Sequence, residues 1–293
     1  MSLLSPYAQA SFCATAREAT MGVARPFGFR GMSVALGSIV LSLVVGSCGS
    51  GATGTGESGS GSPQTASDST AGMRIVIYDG PAACSDCAEA AATWLSEQLP
   101  DATIELAGPN EPRAVDAATL SETDLYVQPG GGDDVAQAYD DLGPIAASAI
   151  TDYVRGGGRY LGICMGAFLA GSDPGLSLLA PADTGGYIDL PDAAVRDDRD
   201  TLVPVTWDGQ VVQAYFQDGS YVDGDLDGID VVATYTDGPP VAVVDTFGAG
   251  VVGVIGTHPE APLTWYDEAG LATDERAGNQ AVGNDLLRRI LTR

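Results

Sequence analysis

The sequence predicts an α/β fold, in which a doubly wound, mostly parallel sheet has helices on both faces and antiparallel strands added in its second half. Continuous apolar runs at residues 73–78 and 125–127 are typical of buried parallel strands. A helical pattern at residues 86–99 separates them, and such alternation favours a parallel sheet. Between residues 180 and 247, short β-rich runs with Asp-Gly and Gly-Pro turns indicate antiparallel strands.

The first half of this domain contains three predicted strands, at residues 73–78, 103–106 and 125–127. The helix predicted between the first two has an apolar stripe at helical spacing, formed by Ala88, Ala91, Ala92, Leu95 and Leu99. Ligands of parallel sheets bind at the carboxyl ends of the strands. The motifs that follow such runs are therefore the first candidates for a site.

The second half contains four more predicted strands, at residues 201–207, 210–217, 230–235 and 241–247. Asp208-Gly209 is a hairpin signal between the first two. We expect these strands to be antiparallel additions that bring residue 258 back beside residue 164. The Asp-rich segment at residues 218–230 lacks the spacing of a calcium-binding EF-hand loop, and we predict solvated turns there. An amphipathic helix is predicted at residues 279–293.

The segment at residues 1–47 is predicted to be a signal peptide rather than part of the fold. Arg25 and Arg30 precede an apolar stretch at residues 32–45, and Val-Gly-Ser then leads to Cys48. This order is typical of a bacterial lipoprotein signal, in which the cysteine becomes the lipidated first residue. The stretch is shorter than the roughly 20 residues of a spanning helix. An ordinary signal peptide and a transmembrane anchor are the alternatives.

Three segments follow from this interpretation. Residues 1–47 are the signal peptide, for which Met21 and Met32 are alternative starts. Residues 48–72, rich in Gly, Ser and Thr, are a flexible tether. Residues 73–293 are the folded domain, held at the extracytoplasmic face of the cell membrane through lipid on Cys48.

The charge of the chain excludes one class of partner. There are 13 Lys plus Arg residues against 39 Asp plus Glu residues, and the formal net charge is −26. Nucleic-acid binding needs a basic surface that neutralises phosphates. We therefore expect no nucleic-acid partner.

The sequence Gly162-Ile163-Cys164-Met165-Gly166 is typical of a nucleophile elbow with a thiol in place of the serine hydroxyl. An apolar run precedes it, and the pattern at residues 167–170 indicates the start of a helix. The flanking glycines fit a strained turn in which side chains would clash. The amino end of the helix would favour the thiolate of Cys164. A small buried structural cysteine is the alternative interpretation.

The only histidine of the chain, His258, follows the apolar run at residues 251–255. A cysteine nucleophile needs a base, and that base needs a group that fixes its tautomer. In an extended segment, Glu260 projects to the same side as His258. The sequence therefore predicts a Cys164-His258-Glu260 triad, with a structural histidine at a strand end as the alternative.

These motifs resemble those of class I glutamine amidotransferases. More closely, the chain is similar to the amidotransferase-like family named after the N-terminal domain of biotin-protein ligases. The pattern consists of Tyr-x-Gly-Pro at residues 78–81, Gln-Pro-Gly-Gly-Gly at residues 128–132 and the glycine-rich run at residues 156–164. The resemblance covers residues 73–293. It implies a Cys-His-Glu triad on a doubly wound sheet.

The chain departs from the glutamine-using amidotransferases directly after the elbow. Those enzymes usually have a glutamine there, often after a histidine, whereas this chain has Ala167 and Phe168. The expected substrate is therefore a small molecule or a peptide-like group with an amide-like bond, rather than glutamine in particular. No cofactor and no metal are expected.

The glycines of the Gln-Pro-Gly-Gly-Gly motif predict the second half of the site. Glycines let the backbone approach a ligand and turn its N–H groups inward. The N–H of Gly131 or Gly132 and that of Met165 would bind the oxyanion of a tetrahedral intermediate. A plain tight turn is the alternative.

The five cysteines fit these assignments. Cys13 lies in the signal peptide and Cys48 would carry lipid. Cys84 and Cys87 can form a disulfide, which would leave Cys164 as the free thiol. A Cys-x-x-Cys pair is also found at redox centres and metal sites.

The sequence therefore predicts a hydrolase or acyl transferase that acts through Cys164 on an amide-like carbonyl. The first alternative is a catalytically silent binding or scaffold module on the same fold. The second is a thiol-disulfide oxidoreductase that uses Cys84 and Cys87.

Overall fold

The computed structural model describes residues 72–236 and 238–293. The predicted signal peptide, the lipidation site Cys48 and the tether before Gly72 lie outside the described residues. The described strands are β1 (Arg74–Tyr78), β2 (Thr103–Ala107), β3 (Leu125–Gln128), β4 (Arg159–Ile163), β5 (Asp183–Gly186), β6 (Thr201–Trp207), β7 (Gln210–Phe216), β8 (Ser220–Asp223), β9 (Asp230–Tyr235), β10 (Pro240–Phe247) and β11 (Gly250–Ile255). The described helices are α1 (Cys87–Gln98), α2 (Ala117–Leu120), α3 (Val135–Arg155), α4 (Met165–Leu169), α5 (Leu263–Ala269) and α6 (Arg276–Thr292).

Nine of the described strands form one mixed sheet in the order β2-β1-β3-β4-β11-β10-β9-β6-β7. Five neighbouring strands are parallel to one another: β2, β1, β3, β4 and β11. The other four, β10, β9, β6 and β7, pair in antiparallel orientation. The predicted fold class, a mostly parallel sheet with antiparallel additions, is confirmed.

Helices cover both faces of the sheet because alternate strand residues point to opposite sides. On one face, Ile75 and Ile77 of β1 belong to the hydrophobic cluster that includes apolar residues of α1 and α6. On the other face, Val76 and Tyr78 belong to the cluster that includes residues of α2, α3 and α4. The arrangement is doubly wound, as predicted.

The predicted strands of the second half lie within one or two residues of the observed ones. Asp208 and Gly209 have φ angles of 48° and 72°, as expected for a hairpin turn that needs two positive φ values. The strand that leads to His258 is β11, which pairs in parallel with β4. The histidine therefore reaches Cys164 through a central strand of the sheet, and the antiparallel strands continue outward from there.

Two features differ from the sequence expectations. The segment at residues 218–230, predicted as solvated turns, contains β8, which pairs with β5 in a separate small sheet. Side chains of β8 alternate between buried and more exposed positions, so that Val222 is packed inside. The closing helix α6 begins at Arg276, three residues earlier than the predicted start.

None of the helices in residues 72–236 and 238–293 has the length and apolar character of a membrane span.

Candidate active site

Cys164 lies at a sharp turn between β4 and α4, where its φ and ψ angles are 50° and −107°. Residues other than glycine rarely adopt this backbone conformation, and it costs on the order of 1–3 kcal/mol. The turn is fixed from both sides: Cys164 N–H donates to Ile255 O at 2.8 Å, and Cys164 O accepts from Ala167 N at 2.8 Å. The strained turn that the elbow motif predicts is therefore present.

The two flanking glycines are required by close backbone approach. A Cβ atom on Gly162 would lie 2.3 Å from Gly166 O, and one on Gly166 would lie 2.0 Å from Gln128 O. Real Cβ atoms do not approach oxygen so closely. The elbow is thus wedged between its own helix and the end of β3.

Two buried tyrosines form hydrogen bonds in and next to the elbow. Tyr160 O–H donates to Gly166 O at 2.7 Å, and burial raises the pKa of Tyr160, so that its hydroxyl remains a donor. Tyr126 O–H donates to Gln128 Oε1 at 2.6 Å. The first bond connects β4 with α4, and the second lies within β3.

His258 and Glu260 form a buried pair next to the elbow. His258 Nδ1 lies 2.8 Å from Glu260 Oε1, and the two residues are 3% and 1% exposed. The backbone around His258 is held by His258 N–H donating to Tyr215 O at 2.9 Å and by Asn279 Nδ2 donating to His258 O at 2.7 Å. The imidazole is therefore fixed through both its ring and its main chain.

The carboxylate determines the tautomer of the imidazole. Since ionised Glu260 can only accept, Nδ1–H donates to it and Nε2 is left for a second partner. Nε2 is buried and has no hydrogen-bond partner of regular geometry among the described residues. Burial lowers the pKa of His258, but the negative charges of Cys164 and Glu260 outweigh burial and raise it well above the usual 6.5.

Aromatic rings enclose the imidazole. The ring centroids of Trp265 and Tyr215 lie 5.7 Å and 6.1 Å from that of His258, both edge-on. No pattern in the sequence marks Trp265, Tyr215 or Asn279 as site residues. They come from α5, β7 and α6, and no local motif links them to His258.

The glycine loop and Cys164 border the same cavity. This cavity has a volume of about 220 Å³ and is lined by Gly131, Gly132, Asp133, Cys164, Asp198, Gln217 and Asp218. Gly131 packs on Met165, since a Cβ at Gly131 would lie 2.9 Å from Met165 Cγ. The structure thus brings together the predicted loop, the predicted nucleophile and the residue after it.

Cys84 and Cys87 form a disulfide at the edge of the site, with an S–S distance of 1.98 Å. Cys84 N–H donates to Gly130 O at 2.9 Å. A Cβ at Gly130 would lie 3.1 Å from Cys87 Sγ and 2.8 Å from His258 Cε1. The disulfide and the imidazole therefore meet across Gly130. Among the described residues Cys164 is the free cysteine.

The disulfide also argues against a metal site at Cys84 and Cys87. Cys84, Asp86 and Cys87 have ligand atoms within 4.8 Å of one another. Thiolates bind metals, whereas two sulfurs bonded to each other are not thiolates. Trp265 Nε1–H donates to Asp86 Oδ2 at 2.8 Å. With the two cysteines bonded to each other, Cys84, Asp86 and Cys87 form a structural border of the site.

Comparison with known proteins confirms the predicted resemblance over part of the chain. Residues 73–174 match the family described as biotin-protein ligase, N terminal. No curated protein sequence matches the chain. With five parallel strands and helices on both faces, the domain has a doubly wound α/β fold.

Several solved structures are similar. A protein of Thermoplasma acidophilum described as a GMP synthase subunit is 15% identical, with a TM-score of 0.47, and the match covers 75% of this chain and 92% of that one. A glutamine amidotransferase is 16% identical, with a TM-score of 0.48 and coverages of 68% and 100%. PurLQS from Thermotoga maritima is 16% identical, with a TM-score of 0.47 and coverages of 73% and 99%.

Gly166→Ala should destabilise the fold by about 2 kcal/mol or more, because the new methyl group would overlap Gln128 O. Urea unfolding followed by circular dichroism measures this change. Gly132→Ala is the matched control: no atom lies within 4 Å of a Cβ there, and we expect a change below about 0.5 kcal/mol. Equal midpoints for the two variants would contradict the elbow geometry.

The pKa of His258 should lie clearly above 6.5 and fall when Cys164 is replaced by alanine, because the negative charge on the sulfur contributes to raising it. The chain has one histidine, so an NMR titration of the imidazole nitrogens in tag-free protein reports His258 without assignment. A pKa at or below 6.5 in the unmodified protein, or one unchanged in Cys164→Ala, would rule out this interaction.

Proposed function

We propose that the domain is a cysteine-dependent acyl transferase or hydrolase that acts on an amide-like bond. Cys164 is the nucleophile, His258 is the proton carrier and Glu260 orients the imidazole. The observation that carries the proposal is the buried imidazole, bonded to Glu260 through Nδ1 at 2.8 Å and electrostatically coupled to Cys164 at the strained elbow. A silent scaffold has no need of a strained thiol beside an imidazole.

The chemistry follows from these roles. The sulfur attacks the amide-like carbonyl carbon, and the C–N bond breaks as His258 Nε2 gives a proton to the leaving nitrogen. This leaves a thioester on Cys164 and a neutral imidazole. Water, or another acceptor, then loses a proton to Nε2 and attacks the thioester, which releases the acyl group and restores the thiolate.

The oxyanion of each tetrahedral intermediate needs preorganised donors. Gly131 and Gly132 border the cavity beside Cys164, and Met165 follows the nucleophile directly. The backbone N–H of Gly131 or Gly132 and that of Met165 would supply these donors. A cavity of this size accommodates a small amide or a single residue of a larger chain.

The location of the protein is a separate proposal. Cys48 would carry lipid and hold the domain at the extracytoplasmic face of the membrane. The Cys84–Cys87 disulfide supports an oxidising compartment. The substrate would then be a small molecule or a peptide-like group outside the cytoplasm.

Cys164 should react with iodoacetamide rapidly at pH 7, and His258→Ala should slow the reaction by about 10²-fold, the size of a lost proton-transfer group. Cys13 and Cys48 are replaced by serine in the full chain, so that Cys164 is the free thiol, and intact mass spectrometry gives the rate. Asn284→Ala, at a side chain that bonds Trp94 instead of the site, serves as the control. A slow rate independent of His258 would favour the silent module.

Cys48→Ser should abolish lipid labelling and release the protein from the membrane fraction, since the substituted residue has no thiol to acylate. An alkyne-tagged fatty acid supplied to the expressing bacterium reports the label. Cys164→Ser is the matched control and should keep it. Label that persists in Cys48→Ser would show that the anchor lies elsewhere.

A further inference from the structure

The disulfide of Cys84 and Cys87 closes a short loop, the disulfide loop, that packs on the glycine loop at residues 130–132. Cys84 N–H donates to Gly130 O at 2.9 Å, and a Cβ on Gly130 would lie 3.1 Å from Cys87 Sγ. The same Cβ would lie 2.8 Å from His258 Cε1. Gly130 is therefore held between the disulfide and the imidazole.

The next residue of the glycine loop extends this constraint to the oxyanion donors. A Cβ on Gly131 would lie 2.8 Å from Ala82 O and 2.9 Å from Met165 Cγ. Ala82 belongs to the turn that leads into the disulfide loop. Gly131 is one of the two candidates for the first oxyanion donor, and Met165 carries the second. The spacing of the donors thus depends on where the segment at residues 82–87 lies.

A second contact of the disulfide loop is made by Asp86, which lies between the two cysteines. Trp265 Nε1–H donates to Asp86 Oδ2 at 2.8 Å, and the Trp265 ring lies edge-on to His258 at 5.7 Å between centroids. Within the described chain, the Asp86 side chain forms no capping hydrogen bond with α1. The carboxylate therefore connects the disulfide loop to α5 instead of stabilising its own helix.

The constraint that the disulfide imposes is local. A cross-link stabilises a fold more when it closes a longer loop, and Cys84 and Cys87 are separated by only three positions. The disulfide fixes residues 84–86 against the first turn of α1, and these residues form the bonds to Gly130 and Trp265. We therefore expect opening of the disulfide to loosen the glycine loop while the domain stays folded.

The disulfide is accessible to reductants. Cys84 is half-buried, whereas Cys87 is 3% exposed, and both line a hollow of about 250 Å³. Gln217 lines this hollow and also the cavity that contains Cys164. An external thiolate therefore reaches Cys84 Sγ first, and Cys87 is the leaving sulfur. Cys87 is the first residue of α1, where the amino end of a helix favours a thiolate leaving group.

We infer that this disulfide is a redox-responsive positioning element of the glycine loop: the oxidised form holds the oxyanion donors in place, and reduction by a dithiol slows the acylation of Cys164. The inference rests on the proposed function and adds its regulation.

The reduction is an ordinary thiol-disulfide exchange. One thiolate of the dithiol attacks Cys84 Sγ, and the S–S bond breaks as Cys87 leaves as a thiolate that takes up a proton. The second thiol of the reductant then displaces Cys84. The protein gains two thiols, and the dithiol is oxidised to its disulfide.

Two reagents separate the oxyanion donors from the nucleophile. 4-Nitrophenyl acetate acylates the sulfur through a tetrahedral intermediate, whereas iodoacetamide alkylates it without one. With Cys13 and Cys48 replaced by serine in the full chain, Cys84→Ala with Cys87→Ala removes the disulfide. Acylation, measured as the burst of 4-nitrophenolate, should fall by about tenfold or more, since loss of one oxyanion donor costs about 10²–10³ in rate. Alkylation should change by less than about threefold, because the thiol and its base remain.

Reversible reduction tests the same point with the disulfide residues unchanged. The protein is reduced with dithiothreitol, desalted under nitrogen and then reoxidised with diamide. Acylation should fall on reduction and return on reoxidation. Reduced Cys164→Ala gives the contribution of the two new thiols, which is subtracted. Dithiothreitol should have no effect on the double alanine variant, which is the matched control because it has no disulfide to reduce.

The outcomes are distinguishable from those of the proposed function. Acylation that depends on His258 but is equally fast in the oxidised, reduced and double alanine forms overturns the inference and leaves the proposed function intact. Equal losses of acylation and alkylation, or loss of the circular dichroism signal on reduction, would show a merely structural disulfide. Acylation of the oxidised protein at the rate of free cysteine would overturn the inference and the proposed function together.

Discussion

The backbone conformation of Cys164 is the constraint on which the rest of the site depends. A φ of 50° at a side chain with a Cβ atom persists only where the surroundings leave no alternative. Here Ile255 O, Gly166 and the end of β3 supply those surroundings. Because Ile255 is the last residue of β11, the same hydrogen bond that fixes the elbow also fixes the start of the loop that carries His258. The strained backbone of Cys164 and the position of His258 therefore depend on the same hydrogen bond.

Burial of the His258 and Glu260 pair costs free energy unless the charges of the two groups are compensated. Glu260 is balanced through the Nδ1–H donor, and the charge on Cys164 contributes the second favourable interaction with the imidazole. Burial acts in the opposite direction on the imidazolium. The disulfide adds stiffness at this point, since Cys84 is bonded to Gly130 and Cys87 packs on the same glycine as the imidazole. Such support holds the imidazole in one position.

The sequence predicted what local patterns encode. The apolar runs gave the parallel strands, and Asp208-Gly209 gave the hairpin, because each signal lies within a few residues. Cys164, His258 and Glu260 could be identified because each carries reactive chemistry beside a strand end. Tyr215, Gln217 and Asn279 could not, because their role arises from strand pairing and helix packing across long separations. The strand at residues 220–223 was missed for the same reason, since its partner is β5.

The acidic composition determines the charge of the whole described surface. A charge of −26 by itself describes solubility and the exclusion of polyanions. Arginines of the described chain form ion pairs with carboxylates along α6 and beside β2, and Arg199 forms one with Asp197. Since the chain has 39 acidic residues against 13 basic ones, most carboxylates of the described surface have no arginine partner, and the acidity of any one hollow follows from the composition as a whole.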